Sequence, residues 1–437
     1  MREALRQIKA TRRQRGIGGA LQIQLAAMAT ATILAPPAAP VRAMTPSEAG
    51  HTLFASFLGW TLDAFDFFVL VFVLPKIGAD FHRSVADIAF AITITLAMRP
   101  VGAALFGWMA DRYGRRTPLM LDVMLYSVVE VLSGLAPSYG SFLVLRALYG
   151  VGMGGEWGVG ASLAMEAVAP KWRGFFSGLL QEGYAVGYLL AAAAYFFVYP
   201  VFGWRAMFFI GGAPALLTLY IRAKVPESEA WQRTRPDRAA ILGAFGKNLP
   251  MFVYLSIFLT AMSFVSHGTQ DLYPTFLEKQ RGLGPHQVAG IAIIYNIGAI
   301  VGGLFFGFIS DSWGRKRSIA TALIIAIFII PLWIGARSLA LLTFGAFVMQ
   351  FMVQGAFGVI PAHLSELSPP EVRGLFSGLA YQVGVLMASS AAFVEALIAE
   401  HWGFANAMAI VAFSAFVLGT IIVLLGRERG GASLHPQ

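Results

Sequence analysis

Apolar runs of about 20 residues, the length that crosses a bilayer as a helix, recur along this chain. They fall near 52–74, 84–108, 118–137, 139–163, 175–199 and 203–222, and again near 250–275, 287–310, 317–335, 338–361, 375–399 and 403–425. The pattern predicts an all-α integral membrane protein of twelve transmembrane helices in two six-helix bundles. The expected boundaries are an N-terminal arm at 1–50, a first bundle at 51–222, a linker at 223–249, a second bundle at 250–426 and a tail at 427–437. The linker carries Arg222, Lys224, Arg233, Arg235, Arg238 and Lys247 at or near its ends and along its length, and reads as cytoplasmic.

Composition excludes a soluble domain. Of 437 residues 57% are hydrophobic and 13% charged, and mean hydropathy is +0.68. Soluble domains carry about 25% charged residues. Forty-seven glycines and 35 phenylalanines suit helices packed closely in lipid. With no cysteine, disulfides and thiolate metal sites are excluded. The net charge of +9 suggests nucleic acid only until the positions are read. The expected outer loops hold only Lys76, Arg83, Lys279, Arg281 and Arg337 of 32 basic residues, whereas 24 fall on the expected inner side. That asymmetry places both termini in the cytoplasm of a bacterial inner membrane and leaves nucleic acid no part.

An internal repeat relates the two bundles. Gly107-Trp-Met-Ala-Asp111-Arg-Tyr-Gly114-Arg115-Arg116 recurs 200 residues later as Gly307-Phe-Ile-Ser-Asp311-Ser-Trp-Gly314-Arg315-Lys316. The same displacement relates Glu166, Arg173, Gly174, Ser177 and Gly178 to Glu366, Arg373, Gly374, Ser377 and Gly378. Duplication of this kind marks secondary transporters, with the substrate near the midplane between the halves.

The paired loops resemble the signature of the major facilitator superfamily over roughly residues 50–425, which implies two pseudo-symmetric bundles in the major facilitator fold. Physically, the carboxylate and basic cluster at each helix end (Asp111, Arg115 and Arg116; Asp311, Arg315 and Lys316; Glu166, Arg173, Glu366 and Arg373) can form a breakable cytoplasmic latch. The alternative is that these charges only satisfy topology, to which Asp111 and Asp311 would add nothing. Residues 1–43 fall outside the resemblance. They run from a basic stretch through Leu21–Leu34 to an Ala/Pro segment ending at Ala43, and read as a flexible arm, a start placed upstream of Met44, or a signal-like leader.

Charges inside the spans carry the functional reading, since a carboxylate at the bilayer centre costs about 2.5–3.5 kcal/mol on insertion scales. Asp63 and Asp66 share a face of the first span at i and i+3, so one should hold a proton readily. Otherwise they cap or pair with a basic residue. Arg99, in the second span, can hold a carboxylate through two parallel hydrogen bonds, or form an ion pair with Asp63 or Asp66. The seventh span reads Ser263-Phe-Val-Ser266-His267-Gly-Thr269-Gln270-Asp271-Leu-Tyr-Pro274-Thr275, too polar to face lipid. His267 and Asp271 stack one turn apart as a plausible proton acceptor, and Pro274 should kink the helix. Weaker candidates are Glu130, Glu182, Asn296, Gln350, Gln354 and Glu395, together with Glu156, which resembles the superfamily's proton-coupling segment in the fourth helix. Gln181 and Tyr381–Gln382 occupy related positions in the halves, as lining residues of one cavity would.

The seventh-span segment resembles the N-x-x-[ST]-H-x-[ST]-Q-D-x-x-x-T signature of fungal lactate and pyruvate proton symporters, in the sialate:proton symporter branch. The resemblance implies that His267, Gln270 and Asp271 take part in substrate recognition and transport of a short monocarboxylate. Ser263 stands where that family has asparagine, so substrate size is open. No nucleotide loop, nucleophile elbow or metal-spaced cluster is present, so neither an enzyme nor a cofactor is expected. The expected function is proton-coupled symport of a lactate- or pyruvate-class acid by a monomer among membrane lipids. A carrier of sialic or aromatic acids and a non-transporting sensor are the alternatives.

Overall fold

The computed structural model describes residues 44–83 and 85–434, so the expected arm at 1–43 lies outside the described residues. The first half contains α1 Pro46–Asp80, α2 Val85–Tyr113, α3 Arg116–Gly134, α4 Tyr139–Ala167, α5 Arg173–Gln181, α6 Gly183–Phe197, α7 Tyr199–Ile210 and α8 Ala215–Lys224. Helices α9 Glu229–Thr234 and α10 Arg238–Lys247 follow. The second half contains α11 Leu249–Gln270, α12 Tyr273–Lys279, α13 Pro285–Trp313, α14 Arg315–Gly335, α15 Leu339–Gly358, α16 Ile360–Leu367, α17 Arg373–Ala388 and α18 Ala391–Leu425.

Local chemistry sets several of these boundaries. Thr45 caps α1 by accepting from the Glu48 N–H at 3.3 Å, while Glu48 accepts from the Thr45 N–H at 2.8 Å, and Pro46 follows where a missing donor costs nothing. Gly203 and Gly403, 200 residues apart, adopt φ of 74° and 77°, a region glycine enters at little steric cost. At each the chain kinks inside what is otherwise continuous helix, which separates the fifth expected span from the sixth and the eleventh from the twelfth.

Each of the twelve expected spans falls on helix, although several are broken. Among the described residues eight helical stretches are long and apolar enough to cross a membrane alone, and the pair α7–α8, bent by 40°, makes a ninth. The difference from twelve comes from the 56-residue stretch Pro370–Leu425, which kinks at Gly403, and from spans interrupted by polar residues. Large apolar side chains such as Phe196, Phe202, Phe328 and Leu425 are exposed, as a lipid-facing belt requires.

Packing repeats the sequence symmetry. Helix α2 lies against α4 and α13 against α15. A Cβ on Gly102 would sit 1.8 Å from the Val151 carbonyl oxygen, and one on Gly302 would sit 2.0 Å from that of Phe351. Both numbers differ by 200 between the halves. Across the halves α17 packs on α2 and α4, and α13 on α5.

Candidate functional site

The repeated loops meet at one end of the molecule. Asp111, in the last turn of α2, accepts from the Gly374 and Leu375 N–H groups at 2.9 Å each, at the start of α17 in the other half. Asp311 accepts in the same way from Gly174 at 2.7 Å and Phe175 at 3.1 Å, at the start of α5. A carboxylate at a helix N-terminus meets unpaired donors and the positive end of the dipole. Arg115 pairs with Asp111 at 2.5 Å and Glu166 at 3.2 Å, and Arg315 pairs with Asp311 at 2.9 Å and Glu366 at 3.0 Å. The network then crosses between halves, from Arg373 to Glu166 at 2.7 Å and from Arg173 to Glu366 at 3.0 Å.

Arg116 and Lys316 stand apart from these crossings. Arg116 donates to the Arg222 carbonyl, and Lys316 to those of Leu424 at 2.7 Å and Gly426 at 2.5 Å, at the C-terminal ends of α8 and α18. Each cation satisfies orphan carbonyls of its own half. Sequence reasoning missed their partners. Glu227 accepts from the Arg115 and Arg116 N–H groups, and Glu428 from those of Arg315 and Lys316. Both acids follow the last span of a half, a repeat visible in the sequence once the halves are aligned. Burial pushes the Glu227 carboxyl above its ordinary range, against the pull of the Ser228 and Arg115 N–H groups. At Glu428 burial is outweighed by the N–H donors of Lys316 and Gly430, which hold the carboxyl below that range.

Deeper between the halves, a chamber of about 100 Å³ is walled by Trp60, Arg99, Ser263, His267, Asp271 and Tyr381, with Gln181, Tyr184, Gln270 and Gln354 at its edges. Helix α2 carries Arg99, which is 4% exposed. Its Nε donates to Gln382 Oε1 of α17 at 2.8 Å, and Gln382 in turn donates to the Gly154 carbonyl at 3.4 Å. The expected alternative of an Arg99 ion pair with Asp63 or Asp66 is not formed. The Arg99 Nη atoms make no hydrogen bond among the described residues, which leaves a cationic fork facing the chamber. Trp157 stacks on Tyr381, which lines the chamber, with ring centroids 3.9 Å apart.

The His267–Asp271 pair forms at 3.1 Å and is partly exposed, with side chains 30% and 36% accessible. Helix α11 ends there because Pro274 cannot continue its ladder, and α12 restarts with that proline in its first turn. Gln270 Nε2 donates to Gln350 Oε1 at 2.8 Å. The His267–Asp271 side of the chamber is partly exposed, and the ion-pair network ties the two halves together at the ends of α2 and α13.

Asp63, Asp66 and Glu156 do not line this chamber. All three are fully buried behind it with no hydrogen-bond partner on either oxygen. Glu156 presses on Gly59, whose Cβ would meet its Oε1 at 2.5 Å. Asp66 and Glu130 meet at Gly211, where a Cβ would lie 2.6 Å from Asp66 Oδ1 and 2.5 Å from Glu130 Cγ. Glu130 takes a 2.5 Å ion pair from Arg146, which also donates to Ser133 at 2.6 Å and lies over the Tyr149 ring. Asp122, equally buried and unpartnered, belongs to the same half and went unnoticed in the sequence. It interrupts an apolar span, which was signal enough to find it.

Two related helical bundles enclosing a polar chamber, tied together by an ion-pair network, have the architecture of a membrane transporter. The chain belongs to the major facilitator superfamily. That family's model matches residues 56–290, and the Sugar (and other) transporter model matches residues 239–427. The sialic acid transporter NanX of Escherichia coli strain K12 is 32% identical over 87% of this chain and 94% of its own length. A carboxylic acid transporter protein homolog of Saccharomyces cerevisiae is 28% identical over 86% of this chain and 68% of its own. The cis,cis-muconate transport protein of Acinetobacter baylyi is 26% identical over 86% and 94%. Among solved structures, the proton:xylose symporter XylE superposes with a TM-score of 0.71 at 19% identity, over 90% of this chain and 98% of its own, a likeness of fold.

Proposed function

We propose that the protein is a proton-coupled symporter of organic monocarboxylates in a bacterial inner membrane, with its latch facing the cytoplasm. The observation that carries this reading is Arg99, nearly buried, fixed through Nε by Gln382 and with both Nη atoms free beside the partly exposed His267–Asp271 pair. A fork of this kind matches a carboxylate with two parallel bonds. With the latch closed, the chamber faces outward. A proton taken by His267–Asp271 or by the Asp63/Asp66 and Glu156 carboxyls lets proton and anion cross the barrier together without moving net charge. Ser263 and Gln270 then border the substrate and Gln382 positions the guanidinium. Breaking the Glu166–Arg373 and Glu366–Arg173 crossings opens the inner side.

Lactate and pyruvate are the acids the seventh-span motif implies. Labelled L-lactate uptake into proteoliposomes that rises with an inward proton gradient and collapses with a protonophore supports the reading; gradient-independent uptake refutes proton coupling. A larger acid is the second reading, favoured by a further chamber adjoining the first and by the sialic acid and muconate carriers among the relatives. Competition of lactate uptake by sialic acid separates the two.

A further inference from the structure

The segment that follows α18 turns back across the latch. Its root is fixed twice. Lys316 donates to the Leu424 and Gly426 carbonyls, and Glu428 accepts from the Gly430 N–H at 3.0 Å as well as from the start of α14. Gly431 then adopts φ of 76°, a left-handed conformation that costs glycine little. The Ala432 N–H closes this turn on the Arg429 carbonyl at 2.9 Å.

Beyond the turn the main chain enters the ion-pair network. The Gly431 N–H donates to Glu366 Oε1 at 3.3 Å. Arg173 Nη1, which reaches Glu366 from the first half, also donates to the Ala432 carbonyl at 2.8 Å. Arg373 Nη1, bonded to Glu166, also donates to the Leu434 carbonyl at 3.4 Å. The Leu434 residue is 2% exposed. Both arginines that cross between the halves are therefore bonded to carbonyls of one short segment. Because that segment is rooted in α18, its bond to Arg173 joins one half to the other. A cationic donor makes such a bond roughly twice as strong as a neutral one.

We propose that residues 430–434 are a strap that holds the latch closed, so that opening at this end requires Arg173 to leave the Ala432 carbonyl together with Glu366. The inference goes beyond the transport reading and rests only on the proposed opening at the crossings, whatever the substrate. The strap enters the network through main-chain atoms, so its hold depends on the path of its backbone. A side chain at Gly431 strains that path although nothing lies within 4 Å of its Cβ. Proline at Ala432 removes the N–H that closes the turn. Neither change alters a side chain of the latch.

Reporter thiols in this cysteine-free chain test the strap. Ser162 is fully buried on α4, one turn before Glu166, and Ser127 is 1% exposed on α3. In the purified full-length protein, Gly431→Val and Ala432→Pro should each speed maleimide labelling of Ser162→Cys about tenfold. Labelling of Ser127→Cys should not change. Acceleration at both thiols marks general loosening, and an unchanged rate at Ser162→Cys in either variant leaves the strap without hold; both results overturn the proposal. Glu166→Gln in the Ser162→Cys background separates strap from latch. If it accelerates labelling and the strap variants do not, the crossings stand and the strap alone fails. If none of the three does, the latch fails as well.

Discussion

Arg373 reaches across from the second half to sit 2.7 Å from Glu166 in the first, and Glu166 is held at the same time by Arg115 of its own half. One carboxylate thus ties an intrahalf pair to an interhalf one, and Glu366 does the same for Arg315 and Arg173. Rocking the halves apart strips one cation from each acid and leaves the other in place. The break costs less than exposing an uncompensated buried charge, which is what a reversible closure needs.

Glu166→Gln should therefore favour the state open at the latch end. Ser377 is 1% exposed, one turn beyond Arg373 and 3.4 Å from Ser162 of the other half. Because the chain lacks cysteine, Ser377→Cys gives a single reporter thiol. Removing one partner of a buried pair costs about 3–5 kcal/mol, and even part of that moves a two-state equilibrium more than tenfold. Maleimide labelling of Ser377→Cys should accelerate at least tenfold in the Glu166→Gln background. An unchanged rate would show that the crossings do not hold the closed state.

Arg99→Lys should keep the charge and lose the fork. Lysine cannot bond Gln382 and still present two parallel donors to a carboxylate. Hydrogen bonds to charged groups are worth about 1.5–3 kcal/mol, so KM should rise about 10- to 100-fold with normal protein level in the membrane. Wild-type KM in this variant would remove Arg99 from the substrate.

Gly102→Ala and Gly302→Ala should destabilise the protein to similar extents, because each Cβ meets a backbone carbonyl of the facing helix at 2 Å or less. No rotamer relieves a clash with main chain, so α2 and α4, or α13 and α15, must separate. Thermal unfolding in detergent should drop by several degrees for both, whereas Gly243→Ala, with nothing within 4 Å of the new carbon, should be neutral. A loss confined to one half would show that the symmetry is not energetic.

The two capping acids should respond unequally to neutralisation. Glu227 is held above its ordinary range by burial, so its ionised form contributes little and Glu227→Gln should be mild at pH 7. Glu428 is held below it, so its charge adds stability that is complete above the ordinary carboxylate value of about 4.3 and is lost as pH falls through its own lower value. Glu428→Gln should lower the melting temperature more than Glu227→Gln at neutral pH, and the gap should close in acid. Equal losses at pH 7 would contradict the difference in their surroundings.

Spans, repeat and seventh-span motif were legible because each is local: a long apolar run, a fixed displacement, a cluster within one helix. What could not be read is crosswise. Glu166 and Arg373 lie 207 residues apart, and nothing in either segment tells which acid takes which arginine. Arg116 and Arg115 are neighbours with the same charge, yet the helix direction sends one to Glu166 and the other to the end of α8. Asp63 and Asp66, carboxylates inside a span, must avoid lipid. They avoid it by burial within their own half, which the same energetic rule allows.

The Glu130–Arg146 pair offers an asymmetric test of that buried half. Arg146 keeps Nε and Nη1 without partners while Nη2 serves Glu130 and Ser133. Asp66, adjoining Glu130 at Gly211, has two oxygens without partners. Glu130→Gln frees a guanidinium that Asp66 can take up, so the protein should fold with little loss. The new pair would hold Asp66 ionised and block its use as a proton site. Accumulation driven by the proton gradient should then fall sharply while substrate exchange across the membrane continues. Arg146→Met instead strands both carboxyls with no cation and should cost about 3–5 kcal/mol, visible as poor membrane yield. Adding Glu130→Gln to Arg146→Met should recover part of that yield, since it removes one of the stranded groups. If Glu130→Gln accumulates substrate normally, Asp66 is not the group that carries the proton, and the assignment passes to His267–Asp271.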